Sequence, residues 1–282
     1  MEKTVRQPAV AGMFYTENSE QLQSQINRFY KNARPESVRG GIVGLISPHA
    51  GYYYSGQVSA YGYKLLKPDA FDSVIVIAPS HNVPFDGCSL YHIGGYRTPL
   101  GTIDLDEEII ERMMQADDII GFNKDAHKKE HSLEVQLPLL QGRLKKFKLT
   151  PILMGRQVEE TWTRLAEVIT SVVSSMKNKK ILLIGSTDLS HFYNYQTAVD
   201  LDKAILDRVN AYDIDGLRND VRNRKCEACG AGPMLAVMTA AKQLGADSAK
   251  VLNYINSGYV NGDHSRVVGY MSAVLFKRER PV

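Results

Sequence analysis

Three short apolar runs, each ending in a polar cluster, limit the folds open to this chain more than any other feature of its sequence. Such runs, without alternating polar residues, are typical of strands buried on both faces of a parallel sheet. Because ligands collect beyond the carboxyl ends of the strands in an open α/β sheet, we expect the three clusters to form one site. The runs are residues 42–46, 74–78 and 181–185, and the clusters that follow them contain His49, His81, and Asp188 with His191.

The bulk composition is that of an ordinary globular protein. Of the 282 residues, 44% are hydrophobic and 23% are charged, which allows a sizeable core. The net charge of +3 comes from scattered side chains, so we expect no nucleic-acid partner. No apolar run is long enough to span a membrane, and residues 1–5 contain no apolar leader. These features predict a cytoplasmic protein with no membrane partner. Three cysteines are too few for a disulfide framework.

Helical and strand patterns alternate along the whole chain, with no repeat and no clear linker. They predict one α/β domain over residues 1–282, an αβα sandwich with a mostly parallel central sheet and antiparallel strands at its C-terminal end. The predicted helices are 20–30, 55–66, 104–116 (capped by Asp104), 131–140, 158–177, 196–210 and 233–244. The predicted strands are 42–46, 74–78, 148–154, 181–186, 249–256 and 267–276, with an edge hairpin over 86–103 that turns at Gly94-Gly95.

His49 and His81 are the candidate metal ligands. Each stands about two residues beyond a predicted strand, and neighbouring strands lie roughly 4.8 Å apart, so both imidazoles can reach one point. Two imidazoles and one anionic ligand bind a divalent metal and leave coordination positions open. Cys229 and Asp188 compete as the third ligand. Cys229 precedes the helix that Pro233 opens, where the helix N-terminus is expected to lower the thiol pKa.

His191 is the candidate general acid or base, because an imidazole titrates near neutral pH, and Asp188 is expected to orient it. The alternative is that residues 188–190 only cap a helix. For any single histidine, hydrogen bonding to the local backbone is the ordinary explanation. The convergence of several histidines is what favours a metal site.

Two further segments are predicted to line the pocket. Tyr52 and Tyr54 follow His49 so closely that at least one phenol is expected to reach it. His131 and Glu134, at positions i and i+3 of a predicted helix, share a face and form a candidate wall. The pattern from His127 to His131 also matches the inverted zinc-protease motif H-x-x-E-H. The lysines at 128 and 129 indicate solvent there, so we do not assign that motif.

Seven blocks along nearly the whole chain resemble the Memo family, the B component of the AmmeMemoRadiSam system. Their number and order make the match specific, although no single block would be. The blocks are Arg6-Gln7-Pro8-Ala9-Val10-Ala11-Gly12-Met13-Phe14-Tyr15, Pro48-His49-Ala50-Gly51-Tyr52, Pro79-Ser80-His81, Tyr96-Arg97-Thr98-Pro99-Leu100-Gly101, Glu130-His131-Ser132-Leu133-Glu134, Ser186-Thr187-Asp188-Leu189-Ser190-His191, and Cys229-Gly230 with Pro233.

The resemblance implies a fold shared with the class III extradiol dioxygenases, in which two histidines and a glutamate hold non-haem Fe(II). His49 and His81 fall on the two histidine ligands, and His191 falls on the acid/base position. Cys229 stands at the glutamate position, as in Memo relatives. A thiolate is a softer ligand than a carboxylate, so copper or zinc would also suit the site.

Three functions follow as hypotheses from these residues and this resemblance. The first is oxygen-dependent or redox chemistry on a small substrate at an Fe(II) site. The second is a non-catalytic module that uses the same cleft to bind a peptide or protein, or to handle metal. The third is a zinc hydrolase, which needs little more than three ligands and a base. The resemblance also implies AMMECR-type and radical-SAM proteins as partners.

Overall fold

The computed structural model describes residues 5–279. Residues 1–4, which belong to the segment predicted to contain no apolar leader, lie outside that range. Within it the chain forms eleven strands and ten helices. The strands are β1 Gly40–Ser47, β2 Ser73–Pro79, β3 Cys88–Leu90, β4 Gly95–Thr98, β5 Gly101–Asp104, β6 Ile120–Gly121, β7 Lys148–Met154, β8 Ile181–Ser186, β9 His191–Tyr193, β10 Ser248–Asn256 and β11 Val267–Arg278. The helices are α1 Ser19–Asn32, α2 Tyr52–Lys64, α3 Glu107–Ala116, α4 Lys124–Lys128, α5 Gln136–Gln141, α6 Glu159–Ser175, α7 Tyr195–Asn210, α8 Ile214–Arg222, α9 Ala231–Gln243 and α10 Ser257–Asn261.

Nine strands form one sheet in the order β10-β11-β1-β8-β2-β7-β3-β6, with β9 paired to β11. The central strands β1, β8, β2 and β7 run parallel to one another. Antiparallel pairs flank them, β11 against β1 and β10 on one side and β3 against β7 on the other. The predicted α/β fold, with a mostly parallel central sheet and antiparallel strands from the C-terminal region, is confirmed.

Helices cover both faces of the sheet because its central strands are apolar on both sides. Every residue of β2 is buried. In β1, the side chain of Leu45 faces Gly62 of α2, whereas the Cα of Gly44 faces Val237 of α9. Since successive strand residues point to opposite faces, α2 and α9 lie on opposite sides of the sheet. Among the helices of residues 5–279, none combines the length and the apolar character needed to cross a membrane.

The region after β2 differs from the predicted hairpin. β4 and β5 do pair, but their turn is Pro99-Leu100 rather than Gly94-Gly95, and β3 joins the main sheet instead. Proline can occupy such a turn because its fixed φ suits a tight reversal and it needs no N–H donor there. Asp104 does not cap α3, since it pairs with Gly95 within the hairpin. The cap is Asp106, whose carboxylate accepts from the backbone N–H of Ile109.

The predicted helix over 131–140 was too long at its start. Only α5, from Gln136, is helical, and the preceding residues form turns. At the start of these turns, the carboxylate of Glu130 accepts hydrogen bonds from the backbone N–H groups of His131 and Ser132. The short strand β9, the helices α4, α8 and α10, and the two-residue strand β6 had no predicted counterpart.

Candidate metal centre

The three predicted clusters meet because β8 lies between β1 and β2 in the sheet. His49, His81 and Asp188 each lie two residues beyond the last residue of β1, β2 and β8, respectively. Since these strands are parallel, all three residues emerge at the same edge. The rings of His49 and His81 have centroids 5.1 Å apart. The backbone N–H of His49 donates to Asp188 Oδ1 at 2.7 Å, which joins the β1 and β8 loops.

A third imidazole completes the cluster. The ring of His131 stacks on that of His81 with centroids 4.6 Å apart and lies 5.5 Å from that of His49. One donor atom from each of the three rings lies within 4.8 Å of the others. Donors that share an ion at about 2.1 Å lie at most roughly 4.2 Å apart, so the cluster is near metal-binding geometry. His131, predicted as a pocket wall, is therefore a candidate ligand.

Cys229 contacts this cluster through His49. Its Sγ lies 3.0 Å from His49 Nε2, and the backbone N–H of Asp188 donates to the sulfur at 3.3 Å. Burial and, to a lesser extent, the nearby Asp188 raise the pKa of the Cys229 thiol. The expectation of a lowered pKa at this position is wrong, because desolvation of the thiolate outweighs the hydrogen bonds that lower the pKa.

The backbone next to Cys229 can approach β8 because residue 230 is glycine. A Cβ on Gly230 would lie 2.2 Å from the carbonyl oxygen of Ser186. Gln157 holds the same turn from the other side, donating to the Cys229 carbonyl at 2.7 Å and accepting from the Gly232 N–H at 2.8 Å. Nothing in the sequence near Gln157 pointed to this role, since the contact joins residues more than seventy positions apart.

The carboxylate of Glu130 contacts two of the three imidazoles, a role that the sequence patterns did not predict. This carboxylate is 1% exposed, accepts from the backbone N–H of His81 at 2.6 Å and lies 2.9 Å from the ring Nδ1 of His81. The same carboxylate lies 3.3 Å from Nδ1 of His131. Burial alone would raise the pKa of Glu130, but the hydrogen bonds from His81 and from the Ser132 N–H lower it. The ionised carboxylate can only accept, so His81 carries its proton on Nδ1 and presents an unprotonated Nε2 that can ligate a metal.

Asp188 does not orient His191 as predicted. Burial raises the pKa of Asp188 to about 7, partly opposed by hydrogen bonds from the backbone of His49 and Ala50. The His191 ring is set instead by its own loop, with Nδ1 donating to the Leu189 carbonyl at 2.7 Å. Because a carbonyl only accepts, Nε2 of His191 is the unprotonated nitrogen. Burial lowers the pKa of His191, which keeps the ring neutral and able to accept a proton.

The loop that carries His191 is tied to the cysteine loop. Glu227 accepts from the backbone N–H of His191 at 3.2 Å and from the Tyr193 hydroxyl at 3.1 Å. Between them, Phe192 has a φ of 65° and an exposed ring. A left-handed conformation is uncommon for such a residue and is found most often at functional sites.

Three predicted pocket residues have other contacts. Tyr52 is buried in the core, and its hydroxyl donates to the Val135 carbonyl at 2.8 Å. Tyr54 is half-buried, and its ring packs edge-on against Tyr53. Glu134 is fully buried and forms an ion pair with Arg6. Its carboxylate is bound by the N-terminal segment, and residues 132–135 form turns rather than the predicted helix. The N-terminal segment also supplies the aromatic neighbour of His131, Phe14, with ring centroids 4.8 Å apart.

A family model described as Memo-like protein matches residues 6–274. The chain belongs to the Memo family. MEMO1 family proteins of Methanosarcina mazei and Methanocaldococcus jannaschii are each 37% identical to this Memo protein over 272 and 285 residues. Each alignment covers 96% of this chain and 99% of the relative. An uncharacterized protein of Escherichia coli K12, JW3007, is similar in fold, with a TM-score of 0.52 at 12% identity over 83% of this chain and 99% of that one.

The donors of this Memo protein fit a transition metal. Three imidazoles and one thiol are ligands for iron, copper or zinc, whereas magnesium and calcium prefer oxygen. The cluster combines a 2% exposed His49 with a 31% exposed side chain in His81, so the donors are enclosed on one side and accessible on the other. Burial and the neighbouring His81 and His131 lower the pKa of His49, which favours the neutral ring that binds a metal.

Proposed function

We propose that this Memo protein binds one transition-metal ion through His49 and His81 and acts on a small substrate in oxygen-dependent or redox chemistry. The observation that carries the proposal is the convergence of three imidazole donors from separate loops within 4.8 Å, with the Cys229 sulfur beside them. Structural histidines seldom converge in this way, because neutral rings gain little from one another and their charged forms repel.

Fe(II) is our first choice of metal, with copper or zinc as alternatives. The family resemblance implies Cys229 as the third ligand, and His131 is the competing donor. Bound iron would supply redox chemistry and coordination positions for oxygen and substrate. The chain's own contribution is to hold the donors and move a proton. His191 suits the second task, since its free Nε2 can accept a proton from a bound substrate.

The test is metal analysis of protein purified without oxygen or chelating resin, followed by oxygen-uptake assays on small substrates. We expect close to one iron per chain in the wild type and little in His49→Ala and His81→Ala. His92→Ala is the matched control, because His92 is an exposed histidine that contacts Phe122, outside the cluster. His191→Gln should keep the metal and lose turnover. Full metal occupancy in both ligand variants would contradict the proposal.

A second candidate function is a binding module for a peptide or protein, and exposed aromatic residues favour it. Tyr53, Phe192 and Tyr259 are 69%, 61% and 76% exposed, on or beside elements that carry the site. Exposed large apolar side chains mark interaction surfaces when they cluster. AMMECR-type and radical-SAM proteins are the partners that the family resemblance suggests, and a cytoplasmic location is proposed with them. Normal partner binding by His49→Ala would favour this function over metal-dependent chemistry.

A further inference from the structure

The hydroxyl of Ser186, at the end of β8, lies at the centre of a buried hydrogen-bond network that reaches His49. Ser186 Oγ lies 2.7 Å from the Ser132 carbonyl oxygen, 2.8 Å from Gln136 Nε2 and 2.9 Å from Nδ1 of His49. All four residues are buried. A hydroxyl has one hydrogen and two acceptor positions, so three partners saturate it.

The direction of each bond in this network follows from the partners that can only accept. Gln136 Nε2 also faces the Pro48 carbonyl oxygen at 2.9 Å, which requires the amide nitrogen on that side. Its oxygen then accepts from the Tyr63 hydroxyl at 2.7 Å. The second amide hydrogen must therefore point at Ser186, whose oxygen accepts it.

The single hydrogen of Ser186 goes to the Ser132 carbonyl, which has no hydrogen to give. Nothing remains for Ser186 to donate to His49, so the hydrogen between them belongs to the imidazole. We propose that Ser186 is a positioning residue that holds His49 in the Nδ1–H tautomer, so that an unprotonated Nε2 faces Cys229 before any metal binds. Its effect on metal affinity rests on the proposed metal site, but the tautomer itself does not.

His127 provides an internal comparison with the opposite tautomer. Its Nε2 lies 3.0 Å from the Ser89 hydroxyl oxygen and 3.1 Å from the Ser89 carbonyl oxygen, and because the carbonyl can only accept, that nitrogen carries the hydrogen. Its Nδ1 accepts from the Tyr96 hydroxyl at 2.7 Å. His127 and His49 are both buried, so a difference between their tautomers reflects their partners and not their exposure.

The experiment is a long-range ¹H–¹⁵N spectrum of metal-free, ¹⁵N-histidine-labelled protein at pH 7.5, with His49 and His127 assigned by single substitutions. We expect the wild type to show His49 protonated on Nδ1 and His127 protonated on Nε2. Ser186→Ala should move His49 toward the Nε2–H form. The matched control is Ser132→Ala, which removes a buried hydroxyl that donates to the Pro79 carbonyl and keeps the carbonyl that Ser186 uses.

A wild-type His49 protonated on Nε2 would overturn the inference, whatever the stability of Ser186→Ala. An unchanged His49 tautomer in Ser186→Ala, or an equal change in Ser132→Ala, would also overturn it. Titration with Co(II) adds the functional readout. Ser186→Ala should bind roughly 10- to 100-fold more weakly than the wild type, and Ser132→Ala about equally. If Ser186→Ala binds Co(II) as tightly as the wild type, Ser186 has no positioning role. If the wild type binds no metal, the proposed function is refuted but the tautomer result is unaffected.

Discussion

The ring nitrogen Nε2 of His49 lies 3.0 Å from the sulfur of Cys229, although 180 residues separate the two in the chain. Burial raises the pKa of the Cys229 thiol, which favours a protonated sulfur that donates to the imidazole in this contact. A metal ion bound by both residues would replace that hydrogen. The contact therefore joins a predicted histidine ligand to the cysteine that competes for the third position.

The third ligand can be identified from the pH dependence of metal binding and from the absorption spectrum of the bound metal. Because its thiol pKa is raised, Cys229 must lose a proton when its sulfur binds a metal. Below that pKa, the affinity for the metal should therefore increase about tenfold for each unit by which the pH rises. We expect Co(II)-loaded wild type to show sulfur-to-metal absorption and Cys229→Ser to lose it. His131→Asn should retain the band. If His131→Asn abolishes binding while Cys229→Ser does not, the three imidazoles are the ligands.

Gly230→Ala should displace Cys229. The new Cβ would lie 2.2 Å from the Ser186 carbonyl oxygen, so the cysteine loop must shift or the strand must move. We expect a loss of about 1–3 kcal/mol in the free energy of unfolding and weakened sulfur ligation. Gly41→Ala is the control, because a Cβ there meets nothing within 4 Å. Urea denaturation measures the first effect and Co(II) absorption the second; equal behaviour of both variants would contradict the close approach.

Removing one partner of the buried Arg6–Glu134 pair should strongly destabilise the fold. Glu134 also accepts from the backbone N–H of Ala9 at 2.7 Å and from the Tyr15 hydroxyl at 2.6 Å, so it fastens the N-terminal segment. We expect Arg6→Met to cost about 3–5 kcal/mol, since it leaves a buried carboxylate without its cation. The exposed pair of Lys145 and Asp69 is the comparison, and Lys145→Ala should cost about 0–1 kcal/mol. Similar losses in the two variants, measured by urea denaturation, would show that the buried pair has no special role.

His127 should make the fold sensitive to mild acid. Burial, and then the nearby Arg6, lower its pKa to about 3, whereas in the unfolded chain it titrates near 6.5. Between these values the unfolded state binds the extra proton, so the free energy of unfolding falls as the pH drops from about 6.5 to about 3. His127→Gln should flatten that part of the stability curve, as measured by urea denaturation at several pH values. A slope equal to that of the wild type would mean that His127 is not the group responsible.

Local patterns predicted the parts of the fold and site that depend on local chemistry. The strand ends before His49, His81 and Asp188 could be found because an uninterrupted apolar run predicts a buried strand whatever surrounds it. The bounds of β7 and β8 agree with those predicted, 148–154 and 181–186. Errors arose where contacts between distant residues set the local conformation. Residues 131–135 have a helical pattern, but the Ser132 hydroxyl donates to the Pro79 carbonyl and Glu134 binds the N-terminal segment, and the helix begins only at Gln136.

The sequence by itself determined that histidine-bearing loops follow the strands of a mostly parallel sheet. Only the tertiary structure decided which donors face one another. Placing β8 between β1 and β2 brought His49 beside His81, and burial raised the pKa of the Cys229 thiol. The same packing turned Glu134 toward Arg6 and Glu130 toward the imidazoles. The physical reason is that the direction and charge of a side chain depend on neighbours far along the chain, which short-range sequence patterns do not contain.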